Sequence, residues 1–221
     1  MTETPKFKLS DILYAVVIPV IVGIIIIALP SIVGPGAKHL LGEGSPIPII
    51  LTVGFAQMLV LGIPLLLGLV WNKWAGGASG FLMGSIWYLA NAGTYNGDFI
   101  AAGVTQFNLY RDISFVAYIV MAILIGYMGG ALNNRSLNFK RMLGASLTAS
   151  IITAVFQWIL NMTVSLPPLQ AMAVGSPPSF DAQFTSFYLV MVPQIALAVI
   201  IPIIAKVMTW YGLAPSSHPS S

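Results

Sequence analysis

Five side-chain amides stand inside otherwise apolar stretches of this 221-residue chain: Gln57, Asn91, Gln157, Asn161 and Gln194. A neutral amide carries both hydrogen-bond donors and acceptors and no charge. Its chemistry is therefore recognition of a polar partner, not proton transfer or nucleophilic attack. Gln157 and Asn161 are four residues apart, so on a helix they share a face. Trp158 lies between them, and Trp87 stands one turn before Asn91. Indole rings supply flat apolar walls, and amides between such walls suit a small, polar, often heteroaromatic solute. The same amides can also serve as hydrogen-bonded glue between helices.

The segment Gly93–Asp112 mixes glycine, aromatics, amides and charges. Read as a loop, it is the lid over such a pocket, with Tyr95, Asn96, Asp98 and Arg111 as its chemically distinctive members. Arg111 can grip an anionic group on a ligand, or pair with Asp98 or Asp112. No Asp, Glu, Lys, Arg or His occupies the middle of any apolar stretch, where pumps and proton-coupled carriers hold theirs. The two histidines, His39 and His218, stand outside the stretches, and there is no cysteine. Neither a haem held by paired histidines nor a thiolate metal site fits this chain. No glycine-rich phosphate loop ending in lysine is present, and no Ser/His/Asp set. The expectations are no catalytic residue, no metal, no cofactor and no enzyme activity of its own.

These residues must be positioned by six apolar stretches: 12–33, 47–70, 75–92, 113–132, 142–164 and 185–206. Each is close to the ~20 residues that cross a ~30 Å hydrocarbon layer. Charged residues are only 7% of the chain and mean hydropathy is +0.91, so a water-soluble fold is excluded. The reading is an all-α integral membrane protein of the cell membrane: a compact six-helix bundle over 1–211, with a disordered tail at 212–221. The first stretch follows Lys6 and Lys8 but is long for a signal peptide, and is expected to be a retained helix.

Alternating the connections divides the nine basic residues unequally. Lys6, Lys8, Lys73, Arg135, Lys140, Arg141 and Lys206 fall on one side, and Lys38 and Arg111 on the other. The positive-inside rule then puts both termini in the cytoplasm. The net charge of +3 reflects this topology and gives no reason to expect nucleic acid as a partner; membrane lipid is the expected environment. All five amides lie near the midplane or in the outer half.

The cytoplasmic half carries small residues instead. Gly76, Gly80 and Gly84 repeat every four residues; Gly126 and Gly130 do likewise; Gly144, Ala145 and Ala149 open the fifth stretch. Four-residue spacing lets backbones approach closely, either within the bundle or against a partner membrane protein.

Two of these segments carry a family resemblance. Gly76-Gly-Ala-Ser-Gly-Phe-Leu-Met-Gly-Ser-Ile-Trp and Ala122-Ile-Leu-Ile-Gly-Tyr-Met-Gly-Gly-Ala-Leu, with six helices in about 200 residues, resemble the substrate-binding S component of energy-coupling factor vitamin transporters. The resemblance implies a micronutrient bound near the outer face, and a transmembrane partner with two cytoplasmic ATPases to supply energy. The family often carries Ala-x-x-x-Ala in its first helix; here Ala15 is followed four residues on by Pro19. The competing reading is a structural or accessory subunit of a larger membrane complex of respiratory or oxidase type, in which the glycine faces are the function.

Overall fold

A computed structural model describes residues 17, 20, 21, 24, 55–101, 109–163 and 180–212. Among these the only regular secondary structure is helix, joined by short turns. α1 spans Phe55–Val70, α2 Lys73–Ala101, α3 Leu109–Asn133, α4 Phe139–Thr163 and α5 Phe180–Trp210. They correspond to the second through sixth apolar stretches. Most of the first stretch and the tail after Gly212 lie outside the described residues. Within the helices Val116–Asn133, Phe139–Leu160 and Met191–Trp210 are each long and apolar enough to cross a membrane.

α1 is the hub. It packs against α2, α3 and α5 and touches α4, while α2 pairs with α3 and α4 with α5. Its run Val60-Leu-Gly-Ile-Pro-Leu-Leu-Leu-Gly-Leu-Val has no polar side chain, as a helix surrounded by neighbours requires. Val60, Leu61, Leu65 and Leu69 form the core with Met83 and Trp87 of α2, Met121 and Ile125 of α3, and Leu197 and Ile201 of α5. The outward faces are just as apolar: Ile151, Ile152, Val155 and Ile159 on α4, and Val192, Ile195, Val199 and Ile203 on α5. In water such a surface would aggregate; against lipid tails it is at equilibrium.

Glycine decides how α1, α2 and α3 meet. A side chain at Gly76 would run into the Gly126 carbonyl oxygen, and one at Gly126 into that of Gly76. Gly80 abuts the Ala122 carbonyl, Gly84 would place a Cβ 2.6 Å from the Ile119 Cα, and Gly130 one 2.6 Å from the Lys73 Cα. Gly68 of α1 joins the same junction against Gly126. The glycine faces of α2 and α3 are thus consumed inside the chain. Gly144 is different: it is exposed, with nothing within 4 Å of a Cβ built there. Among the described residues it has no packing partner, although Ala145 and Ala149, on the adjoining face, are buried. One position along a helix rotates the face by about 100°, which separates Gly144 from its neighbours.

Lys73, Arg135, Lys140, Arg141 and Lys206 gather at one end of the bundle, here called the basic end. Its connections are short and well tied. Asn72 caps α2, its Oδ1 accepting from the Ala75 N–H at 2.9 Å. Asn138 caps α4, accepting from the Lys140 N–H at 3.0 Å. Between α3 and α4 the chain reverses through Asn134 and Arg135 at φ 48° and 56°, a left-handed pair that asparagine tolerates better than most. Buried Asn133 holds this turn to α1: its Nδ2 donates to the Leu69 carbonyl at 2.7 Å and to the Ser136 carbonyl at 3.0 Å. Lys206 of α5 donates to the Leu137 carbonyl at 3.2 Å. Lys73 sits 5.7 Å from the ring centres of both Trp74 and Tyr127, a cation–aromatic cluster suited to the membrane boundary.

At the opposite end the helices outrun the sequence-based boundaries. α2 continues past Ala92 to Ala101, and α3 begins at Leu109. Most of the segment read as a loop is therefore helix, with only 102–108 outside the described residues. It contains no proline, and isolated glycines such as Gly93 and Gly97 cost a helix only about 1 kcal/mol each.

Candidate functional site

Away from the basic end, three helices bring polar side chains together in the core. Gln157 of α4 donates through Nε2 to the Tyr118 hydroxyl oxygen of α3 at 3.0 Å. Gln194 of α5 donates through Nε2 to Gln157 Oε1 at 3.4 Å. Trp87 of α2 stands against Tyr118, ring centres 6.1 Å apart and tilted by 36°. Four helices thus meet in a chain of neutral groups, Gln194 to Gln157 to Tyr118, walled by an indole.

Each group is placed for a local reason. Trp87 follows Gly84 on α2, and the close approach of α2 to α3 at Gly84 brings the indole onto Tyr118. Gln157 extends the inward face of α4 that holds Ala149, Thr153 and Ala154. Gln194 follows Pro193, which removes one backbone donor from α5 at that level.

The hydrogen-bond account does not close. Gln194 is 4% exposed and its Oε1 has no partner. Turning Gln194 alone would set two oxygens against each other at Gln157, and turning both amides would leave an Nε2 donor open instead, so one end of the amide is unsatisfied either way. A buried polar atom without a partner costs about 1–3 kcal/mol, and native structures rarely leave one so. At the other end of the chain Tyr118, having accepted from Gln157, keeps its own proton to donate. The cluster therefore offers one acceptor and one donor to a third party. No charged group takes part, which suits a neutral polar guest.

Of the residues anticipated from sequence, Gln157, Gln194 and Trp87 come together here. Trp158 is half-buried beside Gln157 on α4. Asn91, Tyr95, Asn96 and Asp98 lie on the backbone of α2, Gln57 on α1, Arg111 on α3 and Asn161 on α4; their side chains are outside the described residues. Tyr118 was not anticipated. Its signal was a hydroxyl six residues into the fourth apolar stretch, at the same depth as the amides and in need of a partner. No family model, curated protein or solved structure matches the chain.

Proposed function

We propose that this chain is a six-span membrane subunit with both termini in the cytoplasm that binds a small, uncharged, hydrogen-bonding solute in its outer half for import. The resemblance to energy-coupling factor S components frames this reading, and transport then draws on a membrane partner and cytoplasmic ATPases. One observation carries it: the buried, unsatisfied Gln194 Oε1 at the end of the Gln194–Gln157–Tyr118 chain, beside Trp87. Asn133 Oδ1 at the basic end is also buried without a partner, but there the amide ties a turn to α1; the Gln194–Gln157–Tyr118 set combines an open acceptor with a hydroxyl donor beside an indole. The glycine faces, which carried the accessory-subunit alternative, are already occupied within the chain from Gly76 to Gly130.

The test begins with native mass spectrometry of the purified protein to find a co-purifying small molecule. That molecule should raise the melting temperature of the wild type in proportion to ligand occupancy. Gln194→Leu should abolish the shift while leaving the unliganded protein folded. The wild type alone in liposomes should bind the solute without concentrating it under an imposed pH gradient, because no ionisable group is available mid-span to carry a proton. Gradient-driven accumulation would instead identify an independent transporter.

A further inference from the structure

Below the amide cluster, α4 carries a line of hydroxyls that nothing above uses. Ser146, Ser150, Thr153 and Gln157 follow one another at spacings of four, three and four residues. On an α-helix these positions fall within an arc of about 60° and run about 16 Å along the axis. All three hydroxyl residues have no exposed surface. The face points into the bundle, towards α5 and α3, with which α4 packs.

The hydroxyls are not equivalent. Thr153 Oγ1 bonds back to the Ala149 carbonyl at 2.7 Å, and Ser79 of α2 does the same to Gly76 at 2.9 Å. That is the ordinary way for a buried helical hydroxyl to satisfy itself. Ser146 and Ser150 do not take it: both Oγ atoms are buried and without a partner. The opposing helix adds another polar atom. Gln157 and Gln194 fix the antiparallel register of α4 and α5, which sets Ala198 about level with Thr153, and Ile201 and Pro202 about level with Ser150. Pro202 has no N–H, so the carbonyl of buried Ala198 loses its helical donor. By this register Gln194 Oε1, the Ala198 carbonyl, Ser150 Oγ and Ser146 Oγ fall at successive levels along the α4–α5 pair, which at its lower end packs Met142 against Ala205.

We propose that the seam between these two helices holds a file of water molecules running from the Gln157–Gln194 cluster towards the basic end. Water is the guest the chemistry selects. The sites combine two groups that only accept, Gln194 Oε1 and the Ala198 carbonyl, with two hydroxyls that donate and accept; none is charged, and the flanking residues Ala145, Ala149 and Ala205 are small. In a membrane bundle a proline-freed carbonyl is resatisfied by neighbouring side chains or ordered water; the hydroxyl level with Ala198, that of Thr153, is already committed to the Ala149 carbonyl. The file gives a neutral solute a hydrated route away from the cluster. It does not depend on the solute-binding reading, since the seam would be wet with no solute present.

The chain has no cysteine, so single cysteines report cleanly. Ser146→Cys, Ser150→Cys and Thr153→Cys are near-isosteric. Each is placed in the full chain in lipid nanodiscs, where both faces meet solution, and treated with 2-aminoethyl methanethiosulfonate. Leu65→Cys reports the dry core and Ile152→Cys the lipid face, the first position being fully buried and the second exposed. Only a hydrated thiol ionises and reacts readily, so Ser146→Cys and Ser150→Cys should be modified about tenfold faster or more than either control. Rates equal to those of the controls overturn the proposal. So does reaction at Ser146→Cys alone, which fraying at the basic end would explain. Each variant is shown to be folded by its melting temperature, and Thr153→Cys substitutes as the deeper reporter if Ser150→Cys does not fold; its silence is equally fatal.

Discussion

At the scale of single residues, two glycines separate packing from mere composition. Any side chain at Gly80 must displace the Ala122 backbone, which cannot yield as a side-chain tip can. Gly80→Ala should destabilise the protein by about 1–3 kcal/mol, and Gly80→Leu by more. Gly144 faces open space, so Gly144→Ala should stay within about 0.5 kcal/mol of the wild type. Thermal melting of the two variants side by side measures the difference; equal behaviour would remove glycine from the α2–α3 contact. Sequence spacing grouped Gly144 with Gly76, Gly80, Gly84, Gly126 and Gly130 as packing or docking positions; the five pack inside the chain, and Gly144 meets none of the described residues. Spacing reveals a shared face and not what lies opposite it. The same limit hid Ser146 and Ser150. A serine in an apolar run normally bonds to its own backbone, and only coordinates reveal that these two do not.

At the scale of helices, hydropathy located every described helix and placed some ends, such as Val70 of α1, but stopped α2 nine residues short and started α3 four residues late. The cores of α1 through α5 coincide with apolar stretches because hydrocarbon forces both an apolar surface and a closed backbone hydrogen-bond ladder. Once a helix leaves the hydrocarbon that constraint lapses, and composition no longer marks where it stops. Hence α2 carries on through Gly93-Thr-Tyr-Asn-Gly-Asp, which reads as a loop. The extension has a measurable consequence. Gly93→Ala and Gly97→Ala should each stabilise the protein by up to about 1 kcal/mol, because alanine is the better helix former and neither glycine has a positive φ. No change, or a loss, in the melting temperature of both variants would return this segment to the loop that its composition suggests. The amide cluster was legible for a related reason. Gln157 and Gln194 are conspicuous where nothing else is polar, whereas their mutual bond depends on the rotation of α4 against α5, which no periodicity encodes.

At the scale of the whole molecule, the gathering of Lys73, Arg135, Lys140, Arg141 and Lys206 at one end predicts, by the positive-inside rule, that this end faces the cytoplasm. Protease-sensitive tags at either terminus should survive treatment of intact cells and be cut once the cells are opened; cleavage of either tag from outside would invert the arrangement. The glycine junction bears also on how the bundle comes into being. Gly68, Gly76, Gly126 and Gly130 are all synthesised before α4 begins, and their contacts need nothing that follows. Domains and subdomains that close on early, local contacts assemble while the chain is still growing. A ribosome-held chain carrying α1 to α3 complete should therefore already join α1 to α3. Cysteines replacing Leu65 and Gly129, which touch in the finished protein, should crosslink at that stage. The later helices would then dock onto a three-helix nucleus made rigid in advance. The hinge of biogenesis would fall at Asn133–Asn138, with the glycine-bound half as template and the half bearing Gln157 and Gln194 as the part that arrives.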